Sequence, residues 1–117
     1  NEYTDALAKC TTYEPVSREY IDFNGRYNPN LEWDNELSYA ACYDLVGLEP
    51  NNVNVRYEAE RTFAGKYSGL PLGRRVRVAL AAGSGKNKIK SLAPQTIYGC
   101  NSLVDGEKLK VLCLYWE

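Results

Sequence analysis

Four cysteines constrain this chain more than any other feature, because they are spread over a sequence of only 117 residues. Cys10, Cys42, Cys100 and Cys113 form no C-x-x-C pair, and the sequence has no histidine to complete a zinc site. An even number of widely spaced cysteines in a small chain is typical of disulfides in a secreted protein, although a cytosolic protein with four buried thiols has the same count. We predict two disulfides, with three alternative pairings, and neither a metal nor a cofactor.

The composition indicates one folded domain that comprises residues 1–117. Hydrophobic residues make up 44% of the chain and charged residues 25%, which is typical of a globular protein. The chain starts at Asn1 and contains no methionine, which favours a processed, mature product. It has no apolar run long enough to span a membrane and no N-x-S/T sequon. We therefore expect a secreted monomer that does not enter the membrane.

The charges are unevenly distributed along the chain. Residues 1–54 contain three basic and ten acidic residues, whereas residues 55–117 contain eleven basic and five acidic residues. Such an asymmetry is typical either of an anion-binding surface or of two parts of one fold that pair with each other. We favour pairing, because the chain is too short for two domains.

Residue patterns predict an α+β fold. Residues 10–28 mix β-branched and aromatic residues with an Asn24-Gly25 turn, which predicts an N-terminal hairpin. Apolar residues recur every four positions after Asp34, a suitable N-cap, and predict a helix over 34–46 that contains Cys42 and stops near Gly47. Alternation predicts strands over 53–60 and 75–80, followed by a Gly/Ser/Lys-rich loop at 83–91. Two further strand candidates lie over 95–98 and 109–115. We expect one helix packed on a four-stranded antiparallel sheet.

Charged residues on two of these strands suggest a phosphodiester site. Arg56, Glu58 and Glu60 share one face of the first strand, and Arg75 and Arg77 share one face of the second. Arginine binds phosphate with two hydrogen bonds, and a neighbouring carboxylate can act as a general base. The alternative interpretation is a set of cross-strand ion pairs on a solvated sheet.

Residues 67–78, YSGLPLGRRVRV, resemble the tyrosine–serine/threonine–glycine, proline–glycine, arginine–valine run of the fungal guanyl-preferring ribonucleases. Residues 40–43 resemble a cysteine-bearing helix of some members. The resemblance implies a microbial ribonuclease-like fold, in which Arg75 contacts the scissile phosphate and Glu58 or Glu60 is the base. It also implies the disulfide Cys10–Cys113, and with it Cys42–Cys100.

The family's two histidines have no counterpart in this chain. Asn51 occupies the position that resembles the first, and no imidazole lies near residues 96–98, which resemble the position of the second. General acid–base catalysis requires a proton donor whose pKa is close to neutral pH. The resemblance therefore implies a ribonuclease fold that has lost catalysis.

Secreted ribonuclease-like effectors of mildew-type plant-pathogenic fungi share this combination of features. The resemblance implies a catalytically inactive virulence effector that is delivered into host cells and binds a host plant protein or RNA. A plant intracellular immune receptor is one candidate partner. The residues that we expect to bind RNA or a partner are Arg56, Tyr67, Arg74, Arg75, Arg77, Lys86, Lys88 and Lys90.

Two alternative functions remain open at this point. A weakly active ribonuclease would use Glu58 or Glu60 as its base and Arg75 as its phosphate clamp. An unrelated secreted binding or inhibitor module would have a different arrangement of helices and strands. Independently of these alternatives, the lysines of the second half are explained either by weak, charge-driven RNA binding or by solubility alone.

Overall fold

A four-stranded mixed sheet forms the centre of the fold. The computed structural model describes residues 1–11 and 14–117. Its strands are β1 (Glu32–Trp33), β2 (Val55–Thr62), β3 (Ile97–Asp105) and β4 (Lys108–Trp116). They are ordered β1–β3–β4–β2, with β1 parallel to β3 and the other two pairs antiparallel. The strands predicted over 53–60, 95–98 and 109–115 are therefore confirmed, with shifted ends, whereas the parallel strand β1 was not predicted.

Among the described residues, five α-helices flank this sheet, and one 3₁₀ helix (Gly65–Gly69) follows β2. The α-helices are α1 (Glu2–Lys9), α2 (Glu14–Tyr27), α3 (Asn35–Leu45), α4 (Leu72–Ala82) and α5 (Lys86–Lys90). None of the helices in the described part of the chain is long and apolar enough to cross a membrane. The fold is α+β as predicted, but it is not one helix on an antiparallel sheet.

The two faces of the sheet bury different sets of side chains. Because side chains alternate along a strand, Val111 and Cys113 of β4 lie on one face, and Leu112 and Leu114 lie on the other. The first face packs against α2, α4 and α5, and the second against α3. Helix α1 lies beside α3, to which it is joined by Cys10–Cys42. The chain is thus a three-layer structure with the sheet in the middle.

Helix α3 begins and ends close to its predicted boundaries. The Asp34 carboxylate caps it by accepting hydrogen bonds from the N–H groups of Glu36 and Leu37, at 2.7 and 3.3 Å. The left-handed backbone of Gly47, at φ +79°, follows its last turn. A Cβ atom added to Gly99 of β3 would lie 2.2 Å from the backbone nitrogen of Ser38, so α3 crosses the sheet in close contact with it.

The predicted N-terminal hairpin over 10–28 is wrong, because this region is largely helical. Val16, Tyr20 and Phe23 are buried and recur at helical spacing along α2, and Asn24 is buried within the same helix. Burial of this stripe outweighs the strand propensity of aromatic and β-branched residues. The part of the hairpin prediction that concerns Thr12 and Tyr13 lies outside the described residues.

The predicted strand over 75–80 is also wrong. Val76, Ala79 and Leu80 are fully buried, and their spacing of three and then one residues fits a single helical face of α4. The predicted loop over 83–91 contains α5, which buries Ile89. Both segments belong to the helical layer that covers the sheet.

The two disulfides are Cys10–Cys42 and Cys100–Cys113, so the predicted pairs Cys10–Cys113 and Cys42–Cys100 are wrong. Cys100 and Cys113 are direct register partners on neighbouring strands. The backbone of Cys10 forms an isolated β-bridge with Leu103 at the outer edge of β3, so β3 lies between Cys10 and the strand that contains Cys113. The prediction of two disulfides is confirmed.

Candidate functional site

The charged residues expected to form one phosphodiester site lie in two different layers. The side chains of Glu58 and Glu60 alternate with the buried Tyr57 and Ala59, so they lie on the α3 face of the sheet. Arg75 and Arg77 belong to α4, which packs on the opposite face. The sheet therefore separates the two groups, and the expected cluster is not formed.

Arg56 instead lies between two carboxylates on its own side of the sheet. Its Nη1 is 3.1 Å from Asp44 Oδ2, and its Nη2 is 2.8 Å from Glu58 Oε1. Hydrogen bonding to Asp44 raises the pKa of Arg56, although partial burial opposes the effect. This guanidinium is already bound by carboxylates, so it is poorly placed to bind a phosphate.

Asp44 is the partner that the sequence did not reveal. Burial tends to raise the pKa of Asp44, but hydrogen bonds from Arg56 and from the N–H of Asn51 outweigh burial and lower this pKa. The Asn51 N–H donates to Asp44 Oδ2 at 2.9 Å, and the Asn51 side-chain oxygen accepts from the N–H of Val53 at 3.0 Å. The position that the resemblance gave to a catalytic histidine thus holds a residue that shapes the loop between α3 and β2.

A depression of about 450 Å³ lies beside this network, where α3 leaves β2 uncovered. Its side chains combine apolar groups with both signs of charge, and they include Asp44, Leu45, Arg56, Glu58, Glu60, Lys110 and Leu112. Glu58 and Glu60 are exposed, and Lys110 is the register partner of Glu60 on β4. The depression can accept a polar or charged group that approaches from the β2 side.

The arginines of α4 have separate roles. Arg77 binds Glu19 of α2 through Nε and Nη2, at 2.9 and 2.8 Å, and this hydrogen bonding raises the pKa of Arg77. Arg75 donates from Nε to the backbone oxygen of Leu70 at 3.0 Å. Arg74 is exposed and has no ion pair with any residue that the structure describes. Of these three arginines, Arg74 is thus the one whose side chain makes no hydrogen bond or ion pair with a described residue.

The lysines near α4 also divide into bound and available groups. Lys86 donates to the backbone oxygens of Ala81 and Gly83, at 2.8 and 2.6 Å, and so caps the end of α4. The ammonium groups of Lys66 and Lys90 lie 5.2 and 5.9 Å from the ring centres of Tyr67 and Tyr27. We define the basic surface as the exposed residues Lys66, Arg74, Lys88 and Lys90, of which none is ion-paired within the described ranges.

A long stretch without acidic residues is the sequence signal that marks this surface, and the predictions above did not use it. Residues 61–104 contain eight basic residues and no acidic residue. In the described part of the chain there are three ion pairs, of which Arg56–Asp44 and Arg77–Glu19 join the two halves of the sequence. Both interpretations of the charge asymmetry thus apply in part, because two pairs link the halves while the basic surface stays unpaired.

The fold and its two disulfides define a small α+β domain of the disulfide-closed class. Residues 19–117 match the family described as the 15 kDa excretory/secretory protein, so the chain belongs to that family. No curated protein matches the chain. The family description confirms the prediction that the protein is secreted.

This family membership corrects the resemblance stated above. The chain belongs to an excretory/secretory protein family and not to the ribonuclease-like effectors of plant-pathogenic fungi. The run over 67–78 misled because its arginines and valines belong to α4, whereas the resemblance requires a strand. The roles that depended on that resemblance, for Arg75, Asn51 and the two glutamates, lose their basis with it.

Proposed function

We propose that this chain is a secreted binding protein without catalytic activity, which attaches to a sulfated polysaccharide through the basic surface. The observation that carries the proposal is the stretch 61–104, which contains eight basic residues and no acidic residue. Seven of these eight basic residues lie in the 3₁₀ helix, α4 and α5, and α4 and α5 pack on one side of the sheet. Such a one-sided charge attracts polyanions, and sulfated polysaccharides are the polyanions that a secreted protein meets.

The geometry of the basic surface favours an extended polymer over a single anion. Lys66 and Arg74 lie near the start of α4, whereas Lys88 and Lys90 lie in α5, beyond its end. Eleven residues of helix span about 16 Å, so the two pairs of cations are well separated. A chain of regularly spaced sulfates can reach both pairs, and Tyr67, 54% exposed, offers a flat apolar surface beside Lys66.

The titratable groups support the absence of catalysis. Burial raises the pKa of Tyr57 and of Tyr98 to about 12, and the pKa of Asp44 is lowered. These shifts move away from neutral pH, where a general acid or base works best. The sheet also separates Glu58 and Glu60 from Arg75, which argues against the weakly active ribonuclease. Delivery into host cells and an immune-receptor partner were implied only by the ribonuclease resemblance and form no part of the proposal.

Binding to heparin tests the proposal. We expect the protein to bind heparin at low salt, and the quadruple variant Lys66→Gln, Arg74→Gln, Lys88→Gln, Lys90→Gln to bind at least about tenfold more weakly. Two double variants that each remove two positive charges are then compared. Lys88→Gln with Lys90→Gln lies within the basic surface, and the control, Lys9→Gln with Lys108→Gln, removes exposed lysines outside it. An equal loss in the two double variants would contradict the assignment of the surface.

A parallel RNA arm tests the partner class and the lack of activity. We expect single-stranded RNA to bind more weakly than heparin of equal charge, and to stay intact at neutral pH. Tighter binding to RNA would reassign the partner. Cleavage that disappears in Glu58→Gln or Glu60→Gln would show that the protein is an enzyme.

A further inference from the structure

The two outer edges of the sheet are covered to different extents. Along β3, the outer edge is met by β1 at Ile97 and Tyr98, and by Cys10 at Leu103. The other outer edge is β2, which has eight residues. Within residues 1–11 and 14–117, no backbone hydrogen bond joins β2 to any strand or loop other than β4. The open side of β2 therefore presents unpaired backbone donors and acceptors.

Three hydrogen bonds on β3 establish which backbone groups of β2 face outward. The backbone oxygens of Thr96, Tyr98 and Ser102 accept hydrogen bonds from beyond the sheet edge. The backbone N–H and C=O groups of the even-numbered residues in this segment therefore face away from β4. The odd residues of β3 therefore pair through their backbone groups with the even residues of β4, and the backbone groups of the odd residues of β4 face β2. The register partners of these odd residues in β2, which include Tyr57 and Ala59, direct their backbone groups toward β4.

The outward backbone groups of β2 therefore belong to the even residues, Arg56, Glu58, Glu60 and Thr62. The side chains of Arg56, Glu58 and Glu60 also line the depression on the α3 face. In an added antiparallel strand, the residues paired with Glu58 and Glu60 would lie about 5.5 Å away, with their side chains on this same face. Two alternate side chains of the partner would thus meet the two carboxylates.

Charge defines which side chains fit these positions. Arg56 is already bound by Asp44 and Glu58, and the Glu58 side chain remains 66% exposed. Glu60 is exposed and has no ion pair among the described residues, while Lys110 lies across from it on β4, on the inner side. Opposite charges directly across a strand pair stabilise it, and like charges destabilise it. The open edge therefore favours a partner strand with lysine or arginine at the two positions that face Glu58 and Glu60, which are two residues apart.

We propose that the open edge of β2 binds an extended basic segment of a partner protein, which adds to the sheet as a fifth, antiparallel strand. Backbone hydrogen bonds to Arg56, Glu58 and Glu60 would hold this segment, and its two alternate basic side chains would bind Glu58 and Glu60 above the depression. The surface carries the opposite charge to the basic surface and involves none of its residues. It is a second binding site, which stands or falls independently of the polysaccharide proposal.

The probe is a synthetic peptide, Thr-Val-Lys-Thr-Lys-Val-Thr, and its control has glutamate in place of both lysines. Amide hydrogen exchange is followed by NMR with and without peptide. We expect the lysine peptide to slow exchange at Glu58 and Glu60 by roughly tenfold. The amides of Tyr57 and Ala59 already bond to β4 and should not change. Binding of the lysine peptide without this alternating pattern would overturn the proposal, as would equal binding of both peptides.

Variants test whether the charges of Glu58 and Glu60, rather than a change in the fold, account for peptide binding. The double variant Glu58→Gln with Glu60→Gln should weaken binding of the lysine peptide by roughly fivefold. The single variant Glu60→Gln leaves the Arg56–Glu58 contact intact and should cause roughly half of that loss on a logarithmic scale. Glu32→Gln with Glu36→Gln, at exposed positions away from β2, should bind the peptide like the unmodified protein. Heparin binding should survive in all of these variants. Slow exchange at Glu58 and Glu60 without peptide, together with a dimer in sedimentation, would mean that a second copy occupies the edge and would overturn the proposal.

Discussion

The two faces of the sheet are covered by different numbers of helices, and the basic surface and the carboxylates of Glu58 and Glu60 lie on opposite faces. Helices α2, α4 and α5 close one face, and the basic surface lies on the outside of this layer. The other face is covered by α3 over β3 and β4, which leaves Glu58 and Glu60 of β2 exposed, and Arg56 partly exposed, beside a depression. Residues that look like one acid–base site in the sequence are thus separated by a strand layer. This separation is unsuited to catalysis, but it suits two binding surfaces of opposite charge.

The largest expected effect concerns the disulfide on the α3 side. Replacing Cys10 and Cys42 by alanine should lower the free energy of unfolding by about 3–4 kcal/mol, because the bond closes a loop with a sequence separation of 32. Denaturant unfolding measures the loss. Peptide mapping of the unmodified protein without reduction is the control, and recovery of Cys10 linked to Cys113 would contradict the structure.

The contact between α3 and the sheet comes next. Gly99→Ala should cost about 2–3 kcal/mol, because its Cβ would lie 2.2 Å from the nitrogen of Ser38 and 2.5 Å from the carbonyl carbon of Leu37. Thermal or denaturant unfolding measures this difference. Gly25→Ala is the matched control in α2, where no atom lies within 4 Å, and it should stabilise by about 1 kcal/mol. A neutral Gly99→Ala would mean that α3 does not lie so close to β3.

The smallest effect concerns the Asp44–Arg56 pair beside the depression. Asp44→Asn should lower stability by about 1 kcal/mol at pH 7. The pKa of Asp44 is lower in the folded protein than its ordinary value of 3.8. The contribution of the Asp44 carboxylate to stability is therefore fully present at pH values above 3.8, and it is lost as the pH falls through the lowered pKa. The difference between protein and variant, measured by denaturant unfolding, should therefore shrink below about pH 4. Asp105→Asn in the β3–β4 hairpin is the control, and a pH-independent difference for Asp44→Asn would contradict the assignment.

The sequence predicted the elements whose periodicity was unambiguous. The alternation around Tyr57 and Ala59 located β2, and the four-residue spacing after Asp34 located α3. In α4, Val76, Val78 and Leu80 also alternate, and the small Ala79 concealed the helical face that packing selects. In α2, the aromatic residues indicated strands, but burial of Tyr20 and Phe23 against the sheet favours the helix. Local patterns do not contain such tertiary contacts.

The candidate surfaces were predictable only in part. Arg56, Glu58 and Glu60 share a face, as strand periodicity requires, but their partner Asp44 lies in a different element. The error in Arg75 and Arg77 followed directly from the wrong element for residues 75–80. The disulfide pairs depend on which strands are neighbours, which no spacing of cysteines determines. The acid-free stretch 61–104 was readable from the sequence and is the signal that marks the basic surface.

Mapping of polysaccharide binding by NMR tests the division between the two faces most directly. The protein is labelled with ¹⁵N and titrated with a heparin oligosaccharide at about 50 and about 200 mM salt. We predict shift changes at residues 65–69, 72–82 and 86–90, and an affinity that falls by at least about tenfold at the higher salt concentration. Changes centred on α3 and β2, or an affinity that does not depend on salt, would contradict this division.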